Sequence, residues 1–160
     1  MCFEQRIKEY LSIAKRLSQQ CNCVLMGSLA LYLEYPQVLK NFPGDVDMMT
    51  SADEANLKNI IRVLKAGGFK LLSWQDEIDE TVSYELLKGR YYIRGLKEID
   101  KQSITVDITY ESDVVEWQQV KDCYVENQDI KVFTKDVLIT LLENSEREKN
   151  QEQARLLRQI

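Results

Sequence analysis

Apolar and polar positions recur with two periods along the chain, and these periods predict its first helices and strands. Over residues 3–20, and again over 52–66, apolar side chains return every three or four positions between charged ones, which predicts two amphipathic helices. Between them, the short apolar run at residues 21–26 predicts a buried strand, and the polar–apolar alternation at residues 45–50 predicts another. The helices are expected to cover a sheet.

A Gly-Ser dipeptide interrupts the pattern between these two strands. Gly27-Ser28 ends the first predicted strand and is followed by helix-forming residues 29–34, so that Ser28 is predicted to be the N-cap of a helix. The prolines and glycine at 36–44 then predict a loop that leads into the second strand. The order is strand, tight turn, helix, loop, strand.

The second half of the chain is predicted to add strands and then end in helices. Its period predicts an antiparallel extension of the sheet, a short helix, one more strand and a C-terminal helical segment over about 134–160 that begins at Thr134. We therefore predict an α+β (α/β) fold, a mixed sheet flanked by helices, in a single domain over residues 1–160. The predicted strands cover residues 69–74, 82–86, 91–94, 104–110 and 130–133, and the predicted helices cover residues 114–121 and 134–143.

Length and hydropathy agree with one domain that is not membrane-bound. A chain of 160 residues buries enough surface for one core, and a hydrophobic fraction of 44% is ordinary for a globular protein. No apolar run approaches the roughly 18 residues that a membrane span requires, and the first residues do not resemble a signal peptide. We expect a cytoplasmic protein without a membrane partner.

The charged residues limit which functions the chain can have. The sequence contains no histidine, which excludes histidine-based triads, histidine-ligated zinc and histidine general bases. A net charge of −5 disfavours sequence-independent binding to nucleic acid, which depends on neutralising phosphates. Any catalysis must therefore come from carboxylates, lysines or bound metal ions.

Two aspartates lie two residues apart in the second predicted strand. Residues i and i+2 of a strand face the same side about 6.5 Å apart, so the carboxylates of Asp45 and Asp47 can converge on a shared cation. Like charges this close repel each other, and a bound cation or a solvated strand edge must compensate for them. A solvated strand edge is the alternative to a metal site, and glycosyltransferases are another class of enzyme that holds a metal and a sugar nucleotide with Asp-x-Asp.

A third aspartate interrupts the β-branched run at residues 104–109. Aspartate is depleted in strands, and a neighbouring strand would place Asp107 beside Asp45 and Asp47; the alternative is that Asp107 pairs with an arginine or lysine. Three carboxylates on adjacent strands form a cage of hard oxygen ligands that suits Mg²⁺. We predict two Mg²⁺ ions there, with Mn²⁺ as a substitute.

The Gly-Ser turn complements this cage. A small residue at a helix start lets backbone N–H groups and the helix dipole meet a triphosphate, and Ser28 adds a hydroxyl beside Gly27. The alternative is an ordinary helix cap.

In this order, the motifs resemble the nucleotidyltransferase superfamily related to DNA polymerase beta, whose pattern is an apolar strand, Gly-Ser, a helix, Asp-x-Asp and a later strand aspartate. The matching residues are Leu25-Met26-Gly27-Ser28, Asp45-Val46-Asp47 and Val106-Asp107-Ile108. The chain is most similar to the small bacterial abortive-infection and lincosamide nucleotidyltransferases, because residues 130–139 and Arg147-Glu148-Lys149 resemble their tail. It departs from them in a long turn-to-aspartate gap and in Asn150 and Gln153, which replace acidic residues.

The resemblance implies transfer of a nucleoside monophosphate from a nucleoside triphosphate to a hydroxyl of an acceptor. Asp45, Asp47 and Asp107 would be the catalytic metal ligands, and Gly27, Ser28 and Lys149 would contact the nucleotide. The alternative for Lys149, with Arg147, is the solvated helix face to which such residues more often belong. A small-molecule or protein acceptor is favoured over tRNA by the acidic charge. The alternative is a non-catalytic nucleotide-binding or toxin–antitoxin-type regulatory protein with the same fold.

Overall fold

An eight-stranded mixed sheet forms the centre of the structure, a computed structural model that describes residues 1–160. The strands are β1 (Val24–Met26), β2 (Val46–Met49), β3 (Lys70–Ser73), β4 (Asp76–Ile78), β5 (Tyr92–Ile99), β6 (Gln102–Thr109), β7 (Tyr124–Asn127) and β8 (Ile130–Phe133). The helices are α1 (Phe3–Cys21), α2 (Gly27–Glu34), α3 (Glu54–Ala66), α4 (Tyr84–Leu87), α5 (Trp117–Val120), α6 (Lys135–Glu143) and α7 (Glu148–Arg158), with a 3-10 turn at Pro36–Val38.

The strand order is β4-β3-β5-β6-β2-β1-β8-β7. Strands β3 to β6 pair antiparallel, which confirms the predicted extension, whereas β2 runs parallel to β6 and β1 runs parallel to β8. The predicted mixed sheet flanked by helices is confirmed. The parallel contact of β2 with β6 joins the first strands of the chain to the later ones.

One cluster of 41 buried residues forms the core, with members from Ile7 in α1 to Leu157 in α7. Helices α1 and α3 pack on each other, and α3 also contacts β3, while α2 packs on β1 and β2. Along β6 the residues alternate between buried and partly exposed, with Val106 and Ile108 buried and Asp107 between them partly exposed. One face of β6 is therefore in the core, and the other carries Asp107 towards solvent.

The start of the first strand differs from the prediction. Helix α1 continues to Cys21 and ends at Asn22, which has the left-handed conformation (φ 53°) that often terminates helices. The strand predicted over 21–26 is therefore only Val24–Met26. The prediction that Ser28 is an N-cap was wrong, because α2 begins at Gly27, two residues earlier than predicted, and Met26 is the cap residue.

The predicted strand at residues 82–86 was also wrong. Ser83 accepts a hydrogen bond from the N–H of Leu86 and caps the short helix α4 there, because a serine side chain satisfies a free N–H at a helix start. Two strands were missed: β4, and β7, which joins β8 through Gln128 and Asp129, both with positive φ. In a sequence, such two-residue turns are usually identified by a glycine or asparagine at the two turn positions, and neither residue is present here.

The C-terminal segment contains two helices, α6 and α7, which a break at residues 144–147 separates. The helix predicted over 114–121 covers only Trp117–Val120. None of the helices combines the length and the apolar character that a bilayer crossing requires.

Candidate functional site

Three aspartates meet where β2 and β6 run side by side. The parallel register places Asp47 directly opposite Asp107, and Asp45 lies immediately before β2. One carboxylate oxygen from each of Asp45, Asp47 and Asp107 lies within 4.8 Å of the others, and all three side chains are partly buried. The structure thus brings together the three carboxylates that the sequence pattern singled out. We call this group the carboxylate cage.

Asp45 reaches the cage from a loop, whereas the alternation at residues 45–50 predicted that it would stand in the strand. The loop is fixed from α1, since the hydroxyl of the fully buried Tyr10 donates a hydrogen bond of 2.9 Å to the carbonyl of Gly44. Tyr10 was not among the predicted site residues, because its apolar ring fits the helix pattern and its hydroxyl contact spans distant parts of the sequence. The first helix thereby positions the first carboxylate.

The carboxylate cage cannot easily hold three negative charges. Burial, followed by the charges of Asp45 and Asp107, raises the pKa of Asp47 to about 8. Asp47 therefore holds a proton at neutral pH unless another cation replaces it. Three carboxylate donors around one small volume fit a hard divalent cation such as Mg²⁺.

Gly27 lies against the cage. Its φ of +71° is in the left-handed region, and a Cβ atom built on it would lie only 2.7 Å from Oδ2 of Asp47. The cause is the antiparallel pairing of β1 with β2, which sets Met26 opposite Asp47. Any other residue here would be strained and would displace the Asp47 side chain, and the first turn of α2 begins beside the carboxylates.

Ser28 occupies the first turn of α2, and the helix has no side-chain cap. Its hydroxyl is therefore not committed to capping, and it lies one residue from the glycine that touches Asp47. The structure brings Gly27 to the cage with Ser28 as the next residue in the chain, while the contact of both with a nucleotide stays a prediction.

A basic residue that the sequence reasoning missed is bonded to the cage. Arg94 of β5 lies opposite Asp107 of β6, and its guanidinium donates two hydrogen bonds, Nε to Oδ1 at 2.8 Å and Nη2 to Oδ2 at 3.1 Å. Such a two-bond arginine–carboxylate pair is stronger than a single contact. The alternative interpretation of Asp107, pairing with a basic residue, is thus observed together with its place in the cage.

Lys149 lies elsewhere, in the first turn of α7. It lines a polar cleft of about 480 Å³ whose walls contain none of the cage carboxylates. Its predicted contact with the nucleotide stays a prediction. The other lining residues of this cleft are Val38, Lys40, Asn41, Glu148, Glu152 and Gln153.

Comparison with known proteins supports the fold. The chain is similar to the crystal structure of a candidate nucleotidyltransferase from H. pylori, with a TM-score of 0.56 and 18% sequence identity, over 98% of this chain and 68% of that one. No protein-family model matches the sequence. No curated protein matches it either. At this identity, the likeness establishes that the two chains share a fold.

Proposed function

We propose that the protein is a metal-dependent nucleotidyltransferase, which moves a nucleoside monophosphate from a nucleoside triphosphate to a hydroxyl of an acceptor and releases pyrophosphate. One observation carries the proposal: β2 and β6 align Asp47 with Asp107, and Asp45 joins them within 4.8 Å. The fold shared with the candidate nucleotidyltransferase from H. pylori supports it. So does the Gly27 turn packed against Asp47.

Each residue of the site has a role in this proposal. Asp45, Asp47 and Asp107 would hold two Mg²⁺ ions, or Mn²⁺, which when bound lower the pKa of an attacking hydroxyl and neutralise charge on the leaving pyrophosphate. Asp47 would release its proton to solvent on binding a cation. Asp107 orients the acceptor hydroxyl or accepts its proton, and the N–H groups after Gly27 together with the Ser28 hydroxyl hold the triphosphate.

The tail motifs and the net charge bear on the type of enzyme and on its acceptor. From the resemblance of its motifs, we propose that the protein is an enzyme similar to the abortive-infection and lincosamide nucleotidyltransferases, in which Lys149 would contact the nucleotide. The net charge of −5 favours a small-molecule or protein acceptor over tRNA, because tRNA would have to approach an acidic surface.

A pyrophosphate-release assay tests the proposal. Wild type would be incubated with Mg²⁺, each of the four nucleoside triphosphates and pooled acceptors. The comparison variants are Asp45→Asn and, as a matched control on the surface, Asp113→Asn. We expect turnover that Asp45→Asn abolishes and Asp113→Asn retains. Nucleotide binding without turnover in any pool would favour the non-catalytic alternative, and absence of both would refute the proposal.

A further inference from the structure

Arg94 is the cation that neutralises part of the carboxylate cage. Of the ion pairs in the structure, only that between Arg94 and Asp107 involves a cage carboxylate. The guanidinium uses both oxygens of Asp107, so that a positive charge stands next to the carboxylate that a divalent cation would also need. Two cations beside one carboxylate repel each other.

The environment of Arg94 allows its side chain to leave Asp107. The Arg94 side chain is 45% exposed, whereas that of Asp107 is 19% exposed. Asp107 is the only acidic residue with which Arg94 pairs, and its guanidinium carbon lies 5.9 Å from the ring centre of Tyr92, on the same face of β5. Solvent screening of the arginine makes the pair inexpensive to break, and the side chain remains above the open face of the sheet.

We propose that Arg94 is a positioning residue that holds Asp107 in the metal-free protein and is exchanged for a divalent cation. When Asp107 turns to the cation, the guanidinium is released beside the cage and binds the phosphate oxygens of the nucleotide, a pairing that suits arginine. This inference rests on the proposed function. If the exchange occurs, removal of the Arg94 guanidinium strengthens metal binding and weakens nucleotide binding.

Binding of Mn²⁺, followed by electron paramagnetic resonance without nucleotide, tests the first half of the exchange. The variants are Arg94→Gln and Arg94→Lys. The glutamine removes the positive charge, whereas the lysine retains the charge but cannot form the two-bond geometry. The matched control is Arg90→Gln, because Arg90 pairs with Asp76 at 2.8 Å, outside the cage. We expect Arg94→Gln to bind Mn²⁺ about tenfold more tightly than wild type. In this variant the metal no longer competes for Asp107 with a charged, partly solvent-screened guanidinium. Arg94→Lys should lie between them, and Arg90→Gln should equal wild type.

Titration of nonhydrolysable ATP and GTP analogues at saturating Mn²⁺ tests the second half. Here we expect Arg94→Gln to bind the analogue about tenfold more weakly than wild type, because the phosphates lose a charge-assisted donor. Tighter metal binding combined with weaker nucleotide binding is a result that a merely structural role of Arg94 would not produce.

The two proposals fail differently. If wild type binds Mn²⁺ and an analogue but Arg94→Gln leaves the metal affinity equal or weaker, the exchange is refuted while the proposed function stands. Unchanged nucleotide affinity in Arg94→Gln would likewise refute the exchange. If wild type binds no Mn²⁺ or neither analogue, the proposed function fails and this inference falls with it.

Discussion

Gly27 links backbone conformation directly to the chemistry of the site. Its left-handed φ of +71° would cost another residue roughly 1–2 kcal/mol. A side chain would in addition lie within 2.7 Å of the Asp47 carboxylate, far closer than atoms in contact normally come. The glycine is thus required both by the turn and by the carboxylate beside it.

Gly27→Ala should separate these two requirements when compared with Gly89→Ala. Gly89 has a similar φ of +76°, but nothing lies within 4 Å of its added Cβ, so its substitution should cost about 1 kcal/mol of backbone strain alone. Gly27→Ala should cost more and should also weaken Mn²⁺ binding, because Asp47 must move. Urea unfolding and Mn²⁺ titration measure both effects; equal losses in the two variants would contradict the packing argument.

The pKa of Asp47 predicts how stability changes with pH. The folded-state pKa is about 8, against an ordinary value of 3.8, so the native state keeps a proton that the unfolded chain releases above about pH 4. The contribution of this group to stability is therefore greatest below pH 4, falls as pH rises towards 8 and is constant above that.

Asp47→Asn removes this dependence. Its melting temperature relative to wild type should increase from pH 4 to pH 8 in the absence of metal, and added Mg²⁺ should stabilise wild type but not the variant at pH 8. Thermal unfolding across this range checks it, with the exposed Asp113→Asn as control. If the difference in melting temperature between Asp47→Asn and wild type did not change from pH 4 to pH 8, Asp47 would be ionised over this whole range and its pKa would not be raised.

Among the secondary-structure elements, α2 is the helix that begins beside the carboxylate cage, and the proposed nucleotide contacts lie in its first turn. The helix begins at Gly27, and its cap residue Met26 provides no side-chain acceptor. Its first N–H groups therefore depend on water or a ligand for hydrogen bonds, as at helix starts that bind phosphate.

Ser28→Ala should weaken nucleotide binding with little effect on stability, because the hydroxyl caps nothing. We expect the free energy of unfolding to change by less than about 0.5 kcal/mol and analogue affinity to fall. Ser83→Ala is the matched control, because the Ser83 side chain accepts a hydrogen bond from Leu86 N–H; it should cost about 1 kcal/mol and leave affinity unchanged. Urea unfolding and calorimetric titration measure both, and a large stability loss in Ser28→Ala would contradict this account.

The sequence pattern predicts the strands that carry the site better than it predicts which strands are neighbours and in what register they pair. The two strands that carry Asp47 and Asp107 are evident from alternation, but their parallel register depends on packing between distant segments. The partner of Asp107 was accessible in principle: β5 and β6 are joined at Asp100-Lys101, and counting back along this hairpin sets Arg94 opposite Asp107. The start of α2 was misplaced because serine is the commoner cap and Met26 has no capping side chain.

At the scale of the whole molecule, the C-terminal helix belongs to the same core as the sheet. Leu157 and Ala154 of α7 are buried in the cluster that also contains Ile7 of α1. We propose on this basis that residues 1–160 unfold as one cooperative unit, including the segment from about residue 134.

Leu157→Ala tests whether the chain unfolds as one cooperative unit. Truncation of a fully buried leucine should cost about 2–5 kcal/mol, whereas Ile160→Ala, at a position 49% exposed, should cost little. The fluorescence of Trp74 and Trp117, outside α6 and α7, should shift to the same lower urea midpoint as the helical circular dichroism signal. Two separate transitions would show that the C-terminal segment folds independently.

Anomalous diffraction from a crystal containing Mn²⁺ and a nonhydrolysable nucleoside triphosphate would show whether the three aspartates form a metal–nucleotide site. We expect a manganese peak within roughly 2.0–2.3 Å of oxygens from Asp45, Asp47 and Asp107, with the triphosphate at the start of α2 beside Gly27. A nucleotide bound elsewhere, or manganese absent from the three carboxylates, would contradict it.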